Sequence, residues 1–226
     1  MIIDRQNLKI SAFILLAIMT CHSFATANYC DYTAFDMPQM TNTKDTAVLE
    51  NKYVVVIKNN TINQNGTDSA FSDRIIVALT DVKIKSTNGK IKLHRGETAV
   101  FHFAEAFELT KGEYFEISIK KNHPKPMKPK VWYEPTKNKS VFENEDFRIF
   151  KEQLGAGEER AFHSHLERLV VRLNRVQLTD PRFYPNGQEG VGIQEPNTVK
   201  FAGPVEHVVK NLGKIPLFNI VLEFKP

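Results

Sequence analysis

Apolar and polar positions alternate along much of the chain with a period of two. Leu169, Val171 and Leu173 alternate with Val170 and Arg172. The runs Tyr114-Phe115-Glu116-Ile117-Ser118-Ile119 and Leu217-Phe218-Asn219-Ile220-Val221-Leu222-Glu223-Phe224 repeat the pattern. Successive side chains of a strand face opposite sides of a sheet, so these segments read as strands. Val54-Val55-Val56-Ile57 adds a short β-branched one. Turn signals recur at Asn65-Gly66, Asn88-Gly89, Pro185-Asn186-Gly187 and Leu212-Gly213-Lys214. No stretch sustains a 3.6-residue apolar period. The expected fold class is all-β, an antiparallel sandwich or small barrel.

The pattern occurs twice. Val48-Leu49-Glu50-Asn51 recurs as Val141-Phe142-Glu143-Asn144, and Asp73-Arg74-Ile75-Ile76-Val77-Ala78-Leu79 resembles Glu167-Arg168-Leu169-Val170-Val171-Arg172-Leu173. Thr98-Ala99-Val100-Phe101 pairs with Thr198-Val199-Lys200-Phe201. Such order and spacing argue for a duplication. Between the copies lies Asn122-His123-Pro124-Lys125-Pro126-Met127-Lys128-Pro129-Lys130, whose prolines favour an extended linker. The expected organisation is one barrel over 28–122, a linker over 123–134 and a second barrel over 135–226.

Composition narrows the class. The 226 residues are 42% hydrophobic and 25% charged, which excludes wholesale disorder, collagen and a disulfide-knotted miniprotein. A net charge of +4, with no basic stripe interleaved with aromatics, gives no case for nucleic acid. The N-terminus changes the picture more. Arg5 and Lys9 precede an uncharged apolar run, Ile10 to Met19, and Ala25-Thr26-Ala27 then offers a small-x-small site. Residues 1–27 read as a secretory signal cleaved between Ala27 and Asn28, directing the protein to the periplasm or the exterior, the alternatives being an uncleaved N-terminal anchor or a lipoprotein site at Cys21. The run is too short to span a bilayer, and no later segment is apolar enough to do so. Of Cys21 and Cys30 only Cys30 remains after cleavage, so the mature chain has no internal disulfide and relies on its core. A homodimer is compatible with this reading.

The candidate chemistry lies in the second copy. His163 and His165 stand at i and i+2, so a strand points both imidazoles to one side. His207 follows a Gly203-Pro204 turn, and on an antiparallel partner strand it closes a three-imidazole face. Such a face suits Fe, Zn, Mn, Ni or Cu and leaves positions open for water or a small-molecule ligand. Arg168 and Arg172 read as solvent-facing on the side opposite the histidines, and Phe162 reads as packing. The loop 180–187 is an overhang of the barrel mouth or a plain surface hairpin.

Gly157, His163-x-His165 and Gly203-Pro204-x-x-His207-x-x-x-Asn211 together resemble the two signature motifs of the cupin superfamily. The resemblance implies two tandem jelly-roll barrels, a bicupin, covering the mature chain. It also implies metal ligands at His163, His165 and His207, with a glutamate as the family's fourth. The one candidate for that place is Glu167, only two residues after His165. On a continuous strand it lies about 13 Å from His163, so it coordinates only if the chain turns sharply at Leu166. At the repeat offset His163, His165 and Glu167 correspond to Ser69, Phe71 and Asp73, and His207 to Phe107, which makes the first copy degenerate. The implied activity is that of a metal-dependent oxygenase or isomerase. The alternative is a non-catalytic binding barrel or a structural envelope protein without metal, since fold does not set function.

Overall fold

The computed structural model describes residues 47–59, 70–102, 105–128, 138–179 and 191–226, all within one compact unit, Gln39–Pro226. The signal segment with its Ala27–Asn28 junction, both cysteines, Ser69 and the loop 180–187 lie outside the described residues. The first half supplies β1 (Ala47–Glu50), β2 (Val54–Asn59), β3 (Phe71–Ala78), β4 (Val82–Ser86), β5 (Gly89–Leu93), β6 (Thr98–His102), β7 (Phe107–Lys111) and β8 (Tyr114–Lys120). The second supplies β9 (Asn138–Glu143), β10 (Phe147–Leu154), β11 (Glu159–His165), β12 (Arg168–Arg172), β13 (Val176–Thr179), β14 (Val191–Gln194), β15 (Thr198–Ala202), β16 (Val205–Asn211) and β17 (Leu217–Phe224). Among the described residues there is no helix, and none long and apolar enough to cross a membrane.

The two halves share a topology. One five-stranded sheet runs β1-β2-β8-β3-β6 and the other β9-β10-β17-β12-β15, position for position the same order. Smaller sheets, β5-β4-β7 and β14-β13-β16-β11, complete the halves, and every pair is antiparallel. Local chemistry sets the corners. Gly89, at φ +125, completes the Asn88-Gly89 turn of the β4–β5 hairpin, where an L side chain would be strained.

Alternation then sorts the side chains. On β10, Phe147 and Ile149 enter an apolar cluster with Ile220, Leu222 and Phe224 of β17 and Leu169 and Val171 of β12. The same cluster takes Tyr53, Val54, Val56, Ile75, Val77, Phe115 and Ile117 from the first half, so the two large sheets share one core. Burial of such side chains is worth about 1.5–3 kcal/mol each. Residues of the opposite parity face the interior of the second barrel. The ladder places Arg148, Phe150, Glu152 and Leu154 of β10 opposite Glu223, Val221, Asn219 and Leu217 of β17. This explains why β17 is buried along nearly its whole length: both of its faces are covered.

The described part of the segment between the halves, 121–128, is pinned. The Met127 backbone N–H donates to Glu167 Oε2 at 3.0 Å, and the His123 ring lies 5.4 Å from that of Tyr53.

Candidate metal centre

The small sheet of the second half brings the three histidines together. His163 and His165 lie on β11, and His163 is registered against His207 of β16. All three are buried, and one ring nitrogen from each falls within 4.8 Å of the others. The geometry depends on a β-bulge. Arg160 pairs with Val209 and His163 with His207, so three steps on β11 face two on β16. The extra residue lets Arg160 and His163, an odd number apart, both turn inward. It also throws Phe162 outward, 48% exposed, where the sequence reading had it packed.

Hydrogen bonds fix the histidine tautomers. His163 Nδ1 lies 2.8 Å from the carbonyl oxygen of Ala161, within the bulge. A carbonyl only accepts, so Nδ1 carries the proton and Nε2 the lone pair. His165 Nδ1 faces Glu223 Oε1 at 3.3 Å, which leaves its Nε2 as a lone pair too. The two Nε2 atoms are 3.1 Å apart. Burial holds both imidazoles neutral, with pKa values below the ordinary histidine range. For His165 the depression is large and Arg168 adds to it; for His163 burial outweighs the Ala161 carbonyl, which pulls the other way. Two lone pairs aimed at each other call for a cation between them. Two imidazole nitrogens about 2.0–2.1 Å from one metal are spaced in this way. The donor set therefore fits a transition metal held by His163, His165 and His207.

Behind the ligands stand carboxylates that the motif reading missed. Glu223 is fully buried; besides facing His165 it accepts from the Leu166 N–H at 2.7 Å and from Arg148 Nε at 2.6 Å. A carboxylate on the far nitrogen of a ligating histidine orients the ring and raises its basicity. Glu152 accepts from Arg160 at 2.9 Å and from Asn219 Nδ2 at 2.9 Å, and Gln194 Nε2 donates to Asn219 at 2.8 Å. Burial alone would raise the Glu152 pKa, but the Arg160 charge and the Asn219 hydrogen bond hold it below the ordinary range. The signal was present in the strand pattern: Asn219 and Glu223 share one parity in an otherwise apolar run. The Phe150 ring lies parallel to that of His165, with centroids 6.2 Å apart.

The chain does turn after His165, yet Glu167 does not join the histidines. Its carboxylate accepts from Tyr53 Oη and Met127 N, and Lys52 Nζ lies 3.8 Å away. Burial foremost, and then Glu167, push the Tyr53 phenol pKa up. Glu167 thus ties the second half to the first. Arg168 and Arg172 are not on a solvent face. The chain changes sheet at Leu166, so strand parity does not carry from β11 to β12; the ladder sets Arg168 against Glu223 and Arg172 against Asn219, on the barrel's inner side.

Asn211 serves the fold, donating from Nδ2 to the carbonyls of Leu154 and Ile215 at 3.0 and 2.9 Å. Gly157, at φ +72, gives its N–H to the Asn211 carbonyl at 2.9 Å, which accounts for both motif residues. In the first half, Lys85 pairs with Glu108 as Thr179 pairs with Lys210. Phe107 therefore stands in the place of Val209, not of His207. Arg74 lies over the Phe107 ring at 4.2 Å and 3.8 Å from Glu116, filling that interior.

No family model matches the chain, and no curated protein matches it in sequence. Solved structures do. A cupin 2 conserved barrel domain protein from Leptotrichia buccalis matches with a TM-score of 0.51 at 13% identity, over 82% of this chain and 92% of that one. Oxalate decarboxylase of Lactobacillus farciminis, in a formate complex, matches with a TM-score of 0.50 at 10% identity over 77% of each chain. Protein Ylba from E. coli does so with 0.50 at 8% identity over 77% of each. With two antiparallel jelly-roll halves and these structural neighbours, the chain has the fold of the cupin superfamily.

Proposed function

We propose that this protein is a secreted or periplasmic bicupin whose second barrel binds a divalent transition metal and, through it, a small oxygen-bearing ligand, and whose first barrel is a degenerate copy. The observation that carries the reading is the pair of Nε2 lone pairs 3.1 Å apart, each fixed by a committed Nδ1. A bound metal would supply a Lewis-acid position for an oxygen donor, as in metal-dependent oxygenases or isomerases. The chain's own groups do the rest. Glu223 and the Ala161 carbonyl hold the tautomers, the Phe150 ring lies parallel to that of His165, and Arg160 and Asn219 engage both oxygens of Glu152.

Elemental analysis of protein purified without a histidine tag tests this. About one metal per chain is expected, lost in a His163→Ala/His165→Ala double variant that stays folded by circular dichroism. Full occupancy in that variant would sink the reading. A folded wild type that takes up no metal would favour the non-catalytic barrel instead. Export is tested separately, by mass spectrometry of the mature N-terminus, which should begin at Asn28.

A further inference from the structure

We propose that Arg172 is the anion-binding residue of the second barrel, the group that would pair with a carboxylate or phosphate on the bound ligand. Four arginines face that interior or its rim, and three are committed. Arg148 lies 2.6 Å from Glu223 through Nε. Arg160 gives NH1 to Glu152 at 2.9 Å and to Asn138 at 3.0 Å, and NH2 to the Gln153 carbonyl at 3.1 Å. Arg168 gives NH1 to the carbonyls of Leu166 and Gly203 at 3.3 and 2.9 Å. Arg172 differs. It is partly buried, its register partners are Asn219 and Thr198, and among the described residues no carboxylate or carbonyl pairs with it.

Its polar neighbours are already engaged. Asn219 is taken up by Glu152 and Gln194, and Thr198 Oγ1 donates to the Glu195 carbonyl at 2.8 Å. Burial lowers the Arg172 pKa, and no neighbouring carboxylate opposes the shift. A partly buried guanidinium with no counter-charge beside it is open to an anion, and its planar fork matches a carboxylate or phosphate. Arg172 also stands four residues along β12 from Arg168, whose register partner Glu223 faces His165, about 13 Å between Cα positions. The arginine therefore lies on the inner wall down the strand from the histidines, placed for the far end of a small molecule. This deepens the function proposed above and rests on the second barrel being a ligand site.

Succinate and inorganic phosphate are the probes, at constant ionic strength, followed by thermal shift and calorimetry. Metal content is measured on every sample. At least one anion should bind the wild type. Arg172→Gln should weaken that binding roughly tenfold or more, with fold and metal content unchanged. Arg172→Lys, which keeps the charge, should retain part of it and serves if the glutamine variant fails to fold. Which anion binds tells carboxylate from phosphate. The proposal is overturned if neither anion binds the wild type, if Arg172→Gln binds as tightly, or if that variant loses its metal. Arg172-dependent binding by a protein that holds no metal would uphold this inference and remove the metal reading.

Discussion

Replacing Glu223 with glutamine probes the support behind the histidines rather than the histidines themselves. The carboxylate accepts from Leu166 N at 2.7 Å and Arg148 Nε at 2.6 Å, and it faces His165 Nδ1 at 3.3 Å. Glutamine has nearly the same shape but one accepting oxygen and no charge. If that oxygen stays with Leu166 and His165, the amide NH2 meets the Arg148 guanidinium, donor against donor. Losing a charge-assisted bond costs about 1.5–3 kcal/mol. The higher figure for a fully buried broken pair, about 3–5 kcal/mol, does not apply because the Arg148 side chain is 23% exposed. A loss of about 2 kcal/mol moves a urea midpoint by roughly 1 M at ordinary slopes. Metal affinity should fall about 10–100-fold, the usual effect of removing a carboxylate behind a ligating histidine. The assays are urea denaturation of the metal-free protein and chelator competition on the loaded one. Metal affinity within twofold of wild type in a folded variant would refute the role assigned to Glu223.

Tyr53→Phe removes the phenol that donates to Glu167, and should cost about 1–3 kcal/mol in denaturant unfolding while leaving metal content unchanged, because the bond joins the halves and not the histidines. Gly96→Ala should destabilise by about 2 kcal/mol or more in thermal unfolding, since Gly96 sits at φ +77 and a Cβ there would meet the Phe218 ring at 2.6 Å and Leu173 Cδ1 at 3.0 Å. The metal-free protein should lose stability as pH falls below about 6.5, by up to about 1.4 kcal/mol per pH unit for each histidine. The sign follows from the depressed pKa values of His163 and His165: below the unfolded value the unfolded chain binds more protons, so acid favours unfolding. A His165→Asn variant measured by urea denaturation at pH 7.5, 6.5 and 5.5 should show a shallower decline.

What could be read from the sequence was whatever depends on local period. Alternation marked the strands, and the i, i+2 spacing put His163 and His165 on one face. What escaped depends on where the chain changes sheet or slips register. The bulge between Arg160 and His163 inverts the parity between them, and nothing in Ala161-Phe162 announces it. The corner at Leu166-Glu167 resets parity, so Arg168 and Arg172 face inward although counting from His165 along one strand sent them out. The same corner was foreseen as the one condition for Glu167 to coordinate, but Tyr53, more than a hundred residues earlier, holds its carboxylate instead. Glu223 escaped for a similar reason, since its relation to His165 exists only once β17 lies between β10 and β12.

In the proposed function one metal sits on three imidazole nitrogens of the second barrel. Anomalous diffraction at the metal's absorption edge, from crystals of untagged, metal-loaded protein, tests it most directly. A single strong peak per chain is expected, about 2.0–2.2 Å from one nitrogen each of His163, His165 and His207, with Glu167 still bonded to Tyr53. A peak elsewhere, a peak that recruits Glu167, or loaded crystals with no peak at the three histidines would contradict it.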